Sequence, residues 1–209
     1  MDSNTDQSSI SLVIQAGGKS SRMGENKILM PFMGVPLIQR VLERTQRIAQ
    51  QILIVSNKPD ELSFLDVKVV KDSIIGLGAI GGLYTAMDRA NCDLVAVVAC
   101  DLPFVNAAIL NEGVRLLDQT GADVAIPRLS SNFYEPLHAV YRRESCKKAI
   151  LQAIETDQRR LVSWFPSVNI VEMDEALCRR LDPDGLAFFN INNKEDFLLA
   201  EKIELAKQN

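Results

Sequence analysis

Between residues 10 and 126, short apolar runs alternate with longer amphipathic segments, and this alternation limits the possible folds more than any other feature. The runs are rich in β-branched residues, as strands are, while the longer segments carry apolar residues at helical spacing. The predicted strands are 10–15, 52–56, 67–71, 94–100 and 123–126, and the predicted helices are 36–49, 83–90 and 107–117. Because alternating strands and helices form βα units, we predict an α/β fold with a mainly parallel central sheet.

The alternation is less regular after Pro127. The pattern there predicts a strand at 137–141, a helix at 144–155, a strand at 168–171 and a last helix that begins near Asn193. A chain of 209 residues is long enough to form one complete domain. We therefore expect a disordered N-terminal tail at 1–9 and a single domain at 10–209.

Charge and hydropathy exclude several classes of partner. The formal net charge of -4 argues against binding to nucleic acid or to an anionic membrane, because both are bound through an excess of lysine and arginine. The longest apolar run, 94–100, has seven residues, whereas a membrane span needs roughly 20. The cysteines at 92, 100, 146 and 178 lack CxxC spacing, and the first residues lack a secretory pattern. We expect reduced thiols in a cytoplasmic protein.

A glycine-rich segment, 15–24, follows the first predicted strand directly. It combines glycines, hydroxyls and cations, which are groups that bind phosphate. Its Gly18-Lys19-Ser20 resembles the end of a Walker A motif, but that motif requires a glycine where Val13 stands inside the strand. The segment therefore indicates a phosphate site of another type, to which Arg22 and Lys27 add positive charge. A turn that merely needs glycines is the alternative.

A second glycine cluster, 76–81, matches the GxGxxG pattern of dinucleotide-binding folds. Asp101 lies 20 residues beyond Gly81, which is the spacing of the ribose-binding acid in that motif. In the motif the first glycine follows its strand immediately, whereas residues 72–75 intervene here. A dehydrogenase is therefore the less favoured interpretation, and a plain glycine-rich loop is another.

Asp101 follows a run that is typical of a strand buried on both faces. Ligands of open α/β sheets bind outside the carboxyl ends of the strands, where a carboxylate can hold Mg²⁺ against substrate phosphates. An Asp two residues before Pro103 is also common in turns. Asn190 and Asn192, near the last helix, are candidates for binding the metal or a second substrate, with helix capping as the alternative.

His138 is the only histidine in the chain, so a Ser-His-Asp triad would have to use it. No GxSxG segment supplies the nucleophile of such a triad. We therefore expect a structural histidine.

Taken together, these segments resemble the molybdenum cofactor guanylyltransferases of the nucleotidyltransferase superfamily. The family's LAGGxSxRMG loop and following lysine are matched by 15–24 and Lys27. Its Asp before a GPLxG loop is matched by Asp72 and 78–82, its CDxP segment by 100–103, and its NxN pattern by 190–192. The chain departs from the pattern with Gln15 for the usual Leu, Ala79 for Pro, and Asn193-Lys194 for Thr-Pro.

The resemblance implies a Rossmann-like three-layer sandwich and the transfer of GMP from MgGTP to molybdopterin, with release of pyrophosphate. It implies GTP and molybdopterin as substrates, and molybdoenzyme chaperones or other cofactor-biosynthesis proteins as partners. The nucleotide-binding half would be about 10–126, and the acceptor-binding half 127–209. The implied nucleotide-binding residues are Gln15, Ala16, Gly17, Gly18, Lys27, Asn57, Asp72, Gly78 and Asp101. Arg22, Lys27 and Asp101 would be catalytic, Asp101 would bind Mg²⁺, and Asn190 and Asn192 would bind the acceptor.

Three other functions stay open at this point. A cytidylyltransferase that uses CTP, or a sugar-phosphate nucleotidyltransferase, would share most of these motifs. A nucleotide-binding accessory protein without catalytic activity would share the loops, although it would not need to keep Arg22, Lys27 and Asp101.

Overall fold

The structure, a computed structural model, describes residues 9–17, 27–129 and 133–208. Its strands are β1 (Ile10–Gln15), β2 (Pro31–Phe32), β3 (Val35–Pro36), β4 (Gln51–Val55), β5 (Lys68–Val70), β6 (Leu94–Ala99), β7 (Val124–Leu129), β8 (Phe133–Tyr134), β9 (His138–Arg142) and β10 (Ile170–Met173). Its helices are α1 (Leu37–Thr45), α2 (Ala79–Arg89), α3 (Ala107–Thr120), α4 (Arg143–Glu155), α5 (Glu175–Leu181) and α6 (Lys194–Gln208). Each strand predicted from the sequence is present, with ends that differ by at most three residues.

Eight of the described strands form one sheet in the order β10-β7-β9-β6-β1-β4-β5, with β8 paired to β7. The pairs β1–β4, β1–β6, β4–β5 and β7–β10 are parallel, whereas β9 is antiparallel to both β6 and β7. Six strands therefore run in one direction, and β8 and β9 run in the other. The prediction of an α/β fold with a mainly parallel sheet is confirmed.

Helices cover both faces of the sheet, because successive side chains of a buried strand point to opposite sides. In β1, Leu12 and Ile14 pack on one face in the cluster that contains residues of α1 and α3. Val13 lies on the other face with residues of α2 and α4. The result is the expected three-layer sandwich, with the core divided by the sheet.

The strand order reverses at β1, which pairs with β4 on one side and β6 on the other. The chain runs outward from β1 to β5 and then returns to β6. Such a reversal leaves a crevice at the carboxyl ends of the two central strands. Gln15 ends β1, and Asp101 follows β6, so both residues lie at this crevice.

Helix α2 begins at Ala79, four residues before the predicted start at residue 83. Gly81 and Gly82 lie within its first turn, although glycine lowers helix propensity. The reason is close packing: a Cβ on Gly81 would lie 2.8 Å from the Leu77 Cβ, and one on Gly82 would lie 3.0 Å from Gln15 Oε1. The glycine cluster that indicated a loop therefore includes the start of a helix.

Sequence patterns missed the short strands β2, β3 and β8 and the helix α5. The β2–β3 hairpin turns through Met33 and Gly34, both with positive φ, and α5 is capped by the Asp174 side chain. Two other helices begin with an asparagine cap: Asn106 Oδ1 accepts from the Ala108 amide, and Asn193 Oδ1 accepts from the Asp196 amide.

Three predictions concern the chain as a whole. All four cysteines are free thiols, as expected. No described helix has the length and apolar content that a bilayer crossing requires. Residues 1–8 of the predicted tail lie outside the described residues, so that tail stays a prediction.

Candidate active site

Lys27 and Asp101 form an ion pair at the crevice, across 74 residues of sequence. The Lys27 Nζ donates to Asp101 Oδ2 at 2.9 Å and to the backbone oxygen of Ile191 at 2.6 Å. The Ile191 amide in turn donates to the Asp101 backbone oxygen at 3.0 Å. The segments that contain Lys27, Asp101 and Ile191 therefore meet at one point, which is called the joint below. Two of the predicted catalytic residues, Lys27 and Asp101, are in contact there.

The joint is fixed by hydrophobic packing beneath it. Ile191 is fully buried in a cluster with Phe32, Phe104 and Phe197. Its neighbours Asn190 and Asn192 are exposed. The late Asn-Ile-Asn pattern thus places an anchoring isoleucine between two polar side chains beside Asp101.

A cavity of about 230 Å³ lies at the same edge of the sheet. It is lined by Gln15, Gly17, Ala79, Ala99, Cys100, Asp101, Leu102, Glu135, Pro136, Leu137, Leu161 and Asn190. Four of the predicted site residues therefore face one space: Gln15 and Gly17 from the first loop, Asp101, and Asn190. Asn192 does not line this cavity, and its amide side chain lies 3.5 Å from the backbone oxygen of Asn190.

Asp101 has the chemistry of a metal ligand. Its Oδ2 contacts Lys27, whereas its Oδ1 is buried and has no hydrogen-bond partner among the described residues. Mg²⁺ is usually held by one or two carboxylates together with substrate phosphates. The described residues contain no cluster of three or more His, Cys, Asp or Glu that could hold a metal without substrate.

Asn57 and Asp72 form a second polar pair farther along the same edge. Asn57 Nδ2 donates to Asp72 Oδ2 at 2.7 Å, and the Asp72 amide donates to Asn57 Oδ1 at 3.1 Å. The two residues follow β4 and β5, so this pair joins the ends of neighbouring strands. Neither residue lines the Asp101 cavity, which means that a ligand touching both places must extend along the sheet edge.

The first turn of α2 faces the Asp101 cavity through Ala79. Gly78 precedes the helix with a φ of 61°, a conformation that glycine adopts without strain, and it offers no capping side chain. Backbone amides at an uncapped helix start attract anions. The Ala16 amide, by contrast, is already used in a hydrogen bond to the Val55 oxygen.

Two of the predicted site residues cannot be placed. Gly18 and Arg22 lie outside the residues that the structure describes, so their roles stay predictions.

Glu135 is a cavity residue that sequence reasoning missed. It precedes β9, and because β9 is antiparallel, its first end lies at the same edge as the carboxyl ends of the parallel strands. Partial burial raises the pKa of the Glu135 carboxyl. The sequence around Glu135 does not show that β9 pairs in the antiparallel direction. The feature that could have drawn attention to this residue is the Glu-Pro pair before an apolar run.

Cys100 also lines the cavity, but it is not a nucleophile. Burial, and then the neighbouring charge of Asp101, raise the pKa of its thiol far above the ordinary value. Only the thiolate is strongly nucleophilic, so the Cys100 thiol is inert.

His138 has the structural role expected from the sequence. It is fully buried, and its Nε2 lies 3.2 Å from the backbone oxygen of Asn106, the residue that caps α3. Burial lowers the pKa of His138 to about 4, so the ring is neutral near pH 7.

Comparison with known protein families gives a clear result. The family model described as the MobA-like NTP transferase domain matches residues 12–170. The chain belongs to this family. The match covers the crevice between β1 and β6, and it favours nucleotidyl transfer over the dehydrogenase interpretation.

Curated relatives agree with the family model. A protein from Peptoclostridium acidaminophilum, named a probable molybdenum cofactor guanylyltransferase, is 33% identical over 89% of this chain and 86% of its own length. A protein of the same name from Natranaerobius thermophilus is 30% identical over 92% of this chain and 95% of its own length.

Solved structures share the fold. A molybdopterin-guanine dinucleotide biosynthesis protein A from Archaeoglobus fulgidus aligns with a TM-score of 0.82 and 27% identity, covering 94% of this chain and 99% of that one. A 4-diphosphocytidyl-2C-methyl-D-erythritol synthase from Anaerococcus prevotii aligns with a TM-score of 0.69 and 12% identity, over 96% of this chain and 100% of that one. This second likeness concerns the fold alone.

Proposed function

We propose that this protein transfers GMP from GTP to molybdopterin, forming molybdopterin guanine dinucleotide and pyrophosphate. The main support is the Lys27–Asp101 pair at the crevice of a chain whose relatives are named molybdenum cofactor guanylyltransferases. A cation and a carboxylate at one crevice suit a reaction between phosphates, in which positioning and charge neutralisation matter more than a covalent nucleophile. Four free thiols fit a reducing compartment, so a cytoplasmic location is part of the proposal.

The nucleotide would lie along the edge formed by β1, β4 and β5. In this proposal the loop that begins with Gln15, Ala16 and Gly17 surrounds the phosphates, and Gly18 belongs to the same loop. The Asn57–Asp72 pair offers amide and carboxylate groups to the nucleoside, at the ends of β4 and β5. Because this pair does not line the Asp101 cavity, a ligand that touches both must be extended, as a nucleoside triphosphate is.

Mg²⁺ is the metal proposed for the site, and Asp101 is the residue that would hold it. The buried, unpartnered Asp101 Oδ1 fits this role, because an uncompensated carboxylate oxygen is costly to bury. When bound, the ion would stabilise negative charge on the phosphate oxygens. Lys27 would neutralise charge on the departing pyrophosphate, together with Arg22.

The acceptor would enter from the side of β9 and the Asn190–Asn192 segment. Its terminal phosphate would attack the α-phosphate in line, and pyrophosphate would leave. The uncapped start of α2, including Gly78, would bind a phosphate of the nucleotide, and Asn190 and Asn192 would orient the acceptor. Molybdoenzyme chaperones or other cofactor-biosynthesis proteins would then receive the product.

Pyrophosphate release from GTP and molybdopterin tests this function. Asp101→Asn and Lys27→Ala should each lower turnover by about 10² to 10³-fold, the typical loss when one preorganised charge is removed. Lys148→Ala is the matched control, since Lys148 is an exposed lysine on α4 that does not line the Asp101 cavity. Thermal unfolding should confirm that all three variants fold.

Three results would contradict the proposal. The first is wild-type turnover in Asp101→Asn or Lys27→Ala. The second is a preference for CTP over GTP, which would indicate a cytidylyltransferase. The third is GTP binding without pyrophosphate release, which would indicate an accessory protein.

A further inference from the structure

The side chain of Gln15 is buried, and its amide nitrogen, Nε2, has no hydrogen-bond partner among the described residues. The residue is 6% exposed and ends β1 at the crevice. Most buried side-chain amides are paired, so this one requires an explanation.

The surrounding backbone holds the carboxamide in place. The Gln15 backbone oxygen accepts from the Cys100 amide at 3.1 Å, and Gln15 pairs with Ala99 in the β1–β6 register. On the helix side, a Cβ on Gly82 would lie 3.0 Å from Gln15 Oε1 and 3.2 Å from Nε2. The carboxamide therefore lies directly against the first turn of α2, and the glycine at position 82 makes room for it.

An apolar residue of the same size would fill this place at lower free-energy cost. A buried polar group without a partner is disfavoured, and replacing it with an apolar group of similar shape is neutral or stabilising. An unpartnered glutamine at this position is understandable if a ligand completes its hydrogen bonding.

The cavity indicates which ligand group this is. Gln15, Ala79 and Asp101 line the same space, and Ala79 begins a helix whose first amides attract anions. A carboxamide beside such a helix start has a donor to offer to a negatively charged oxygen. The Nε2 is buried, so it reaches the cavity only when the carboxamide turns, and a half-turn exchanges the places of the NH₂ and the oxygen.

We propose that the Gln15 side chain donates a hydrogen bond to a phosphate oxygen of the substrates, next to the first turn of α2. This inference rests on the proposed function, and it gives the Gln15 side chain a role of its own in holding a phosphate. This phosphate is either one of the nucleotide's phosphates or the terminal phosphate of the acceptor, and the experiment distinguishes the two.

Gln15→Leu and Gln15→Met test the proposal, because both keep the volume and remove the donor. The melting temperature of each free variant should equal or exceed that of the wild type. Substrate affinity should fall by about 10 to 100-fold, as expected for a hydrogen bond to a charged group. Calorimetry with MgGTP alone reports the nucleotide phosphate, and the KM for molybdopterin reports the acceptor phosphate.

Two results would overturn the inference. One is wild-type affinity for both substrates in the two variants. The other is a lower melting temperature in both, which would mean that Gln15 stabilises the free protein. Calorimetry with magnesium pyrophosphate keeps the test separate from the proposed function: weaker binding in the variants supports the Gln15 contact even if the wild type transfers no GMP. A wild type that neither transfers GMP nor binds pyrophosphate would refute both.

Discussion

His138 allows a quantitative test of the packing between β9 and α3. The ring is fully buried, and its Nε2 lies 3.2 Å from the Asn106 backbone oxygen. Burial disfavours the charged imidazolium, which lowers the pKa of His138 from 6.5 to about 4. The unfolded chain therefore takes up a proton at a higher pH than the folded chain.

The sign and size of the effect follow from this difference. Stability is fully present above the unfolded pKa of 6.5 and is lost as the pH falls toward about 4. A shift of this size corresponds to about 3 kcal/mol in total. Between pH 7.5 and pH 5, the free energy of unfolding should decrease by about 2 kcal/mol through this residue alone.

Two measurements check the prediction. His138 is the only histidine in the sequence, so a protein without a purification tag gives the ring-proton signals of a single imidazole in a proton NMR titration. Those signals should not move until the pH is well below 6.5. Urea unfolding of wild type and His138→Gln at pH 7.5 and 5 should give a steeper pH dependence for the wild type, by about 2 kcal/mol. A signal that titrates near 6.5, or equal pH dependence in both proteins, would refute the reasoning.

Two further substitutions test packing and charge. Gly113→Ala should destabilise the protein by about 1–3 kcal/mol in urea unfolding, because its Cβ would lie 2.8 Å from Val140 Cγ2. Gly17→Ala, with no atom of the described residues within 4 Å of the new Cβ, should be nearly neutral, and equal losses at both sites would contradict this explanation. Glu135→Gln should raise the melting temperature at pH 7.5, because burial raises the pKa of Glu135 and the fold disfavours its ionised form as the pH increases. The gain should vanish below the ordinary pKa of glutamate, and a gain that persists there would have another cause.

The sequence predicted the sheet well because its strands are buried on both faces. In runs such as 94–100, apolar and β-branched residues follow one another without interruption, and the signal is strong. Predictions were weaker where tertiary packing overrides local preference. Gly81 and Gly82 lie inside α2 because neighbouring side chains leave no room for a Cβ, and no local pattern reports that contact.

The candidate site was predictable in part for the same reason. Gln15, Asp72 and Asp101 follow parallel strands, and the carboxyl ends of such strands meet at one edge. The approach of Glu135 depends on the antiparallel direction of β9, which the sequence pattern does not encode. The contact between Lys27 and Ile191 joins residues 164 positions apart, and such a contact depends on the complete fold.

The site needs a part of the chain that the family match does not reach. The match ends at residue 170, but Ile191 accepts the Lys27 hydrogen bond and donates one to the Asp101 backbone. Ile191 keeps its position because it packs with Phe197 on α6. Helix α6 is itself held against α1, because Arg40 on α1 forms an ion pair with Glu204 on α6. Charged groups assist catalysis only when they are held in place before the substrate arrives, so in the proposed mechanism α6 supports the Lys27–Asp101 pair. The sheet supplies Asp101, and Ile191, which packs against α6, accepts the hydrogen bond that positions Lys27 beside it.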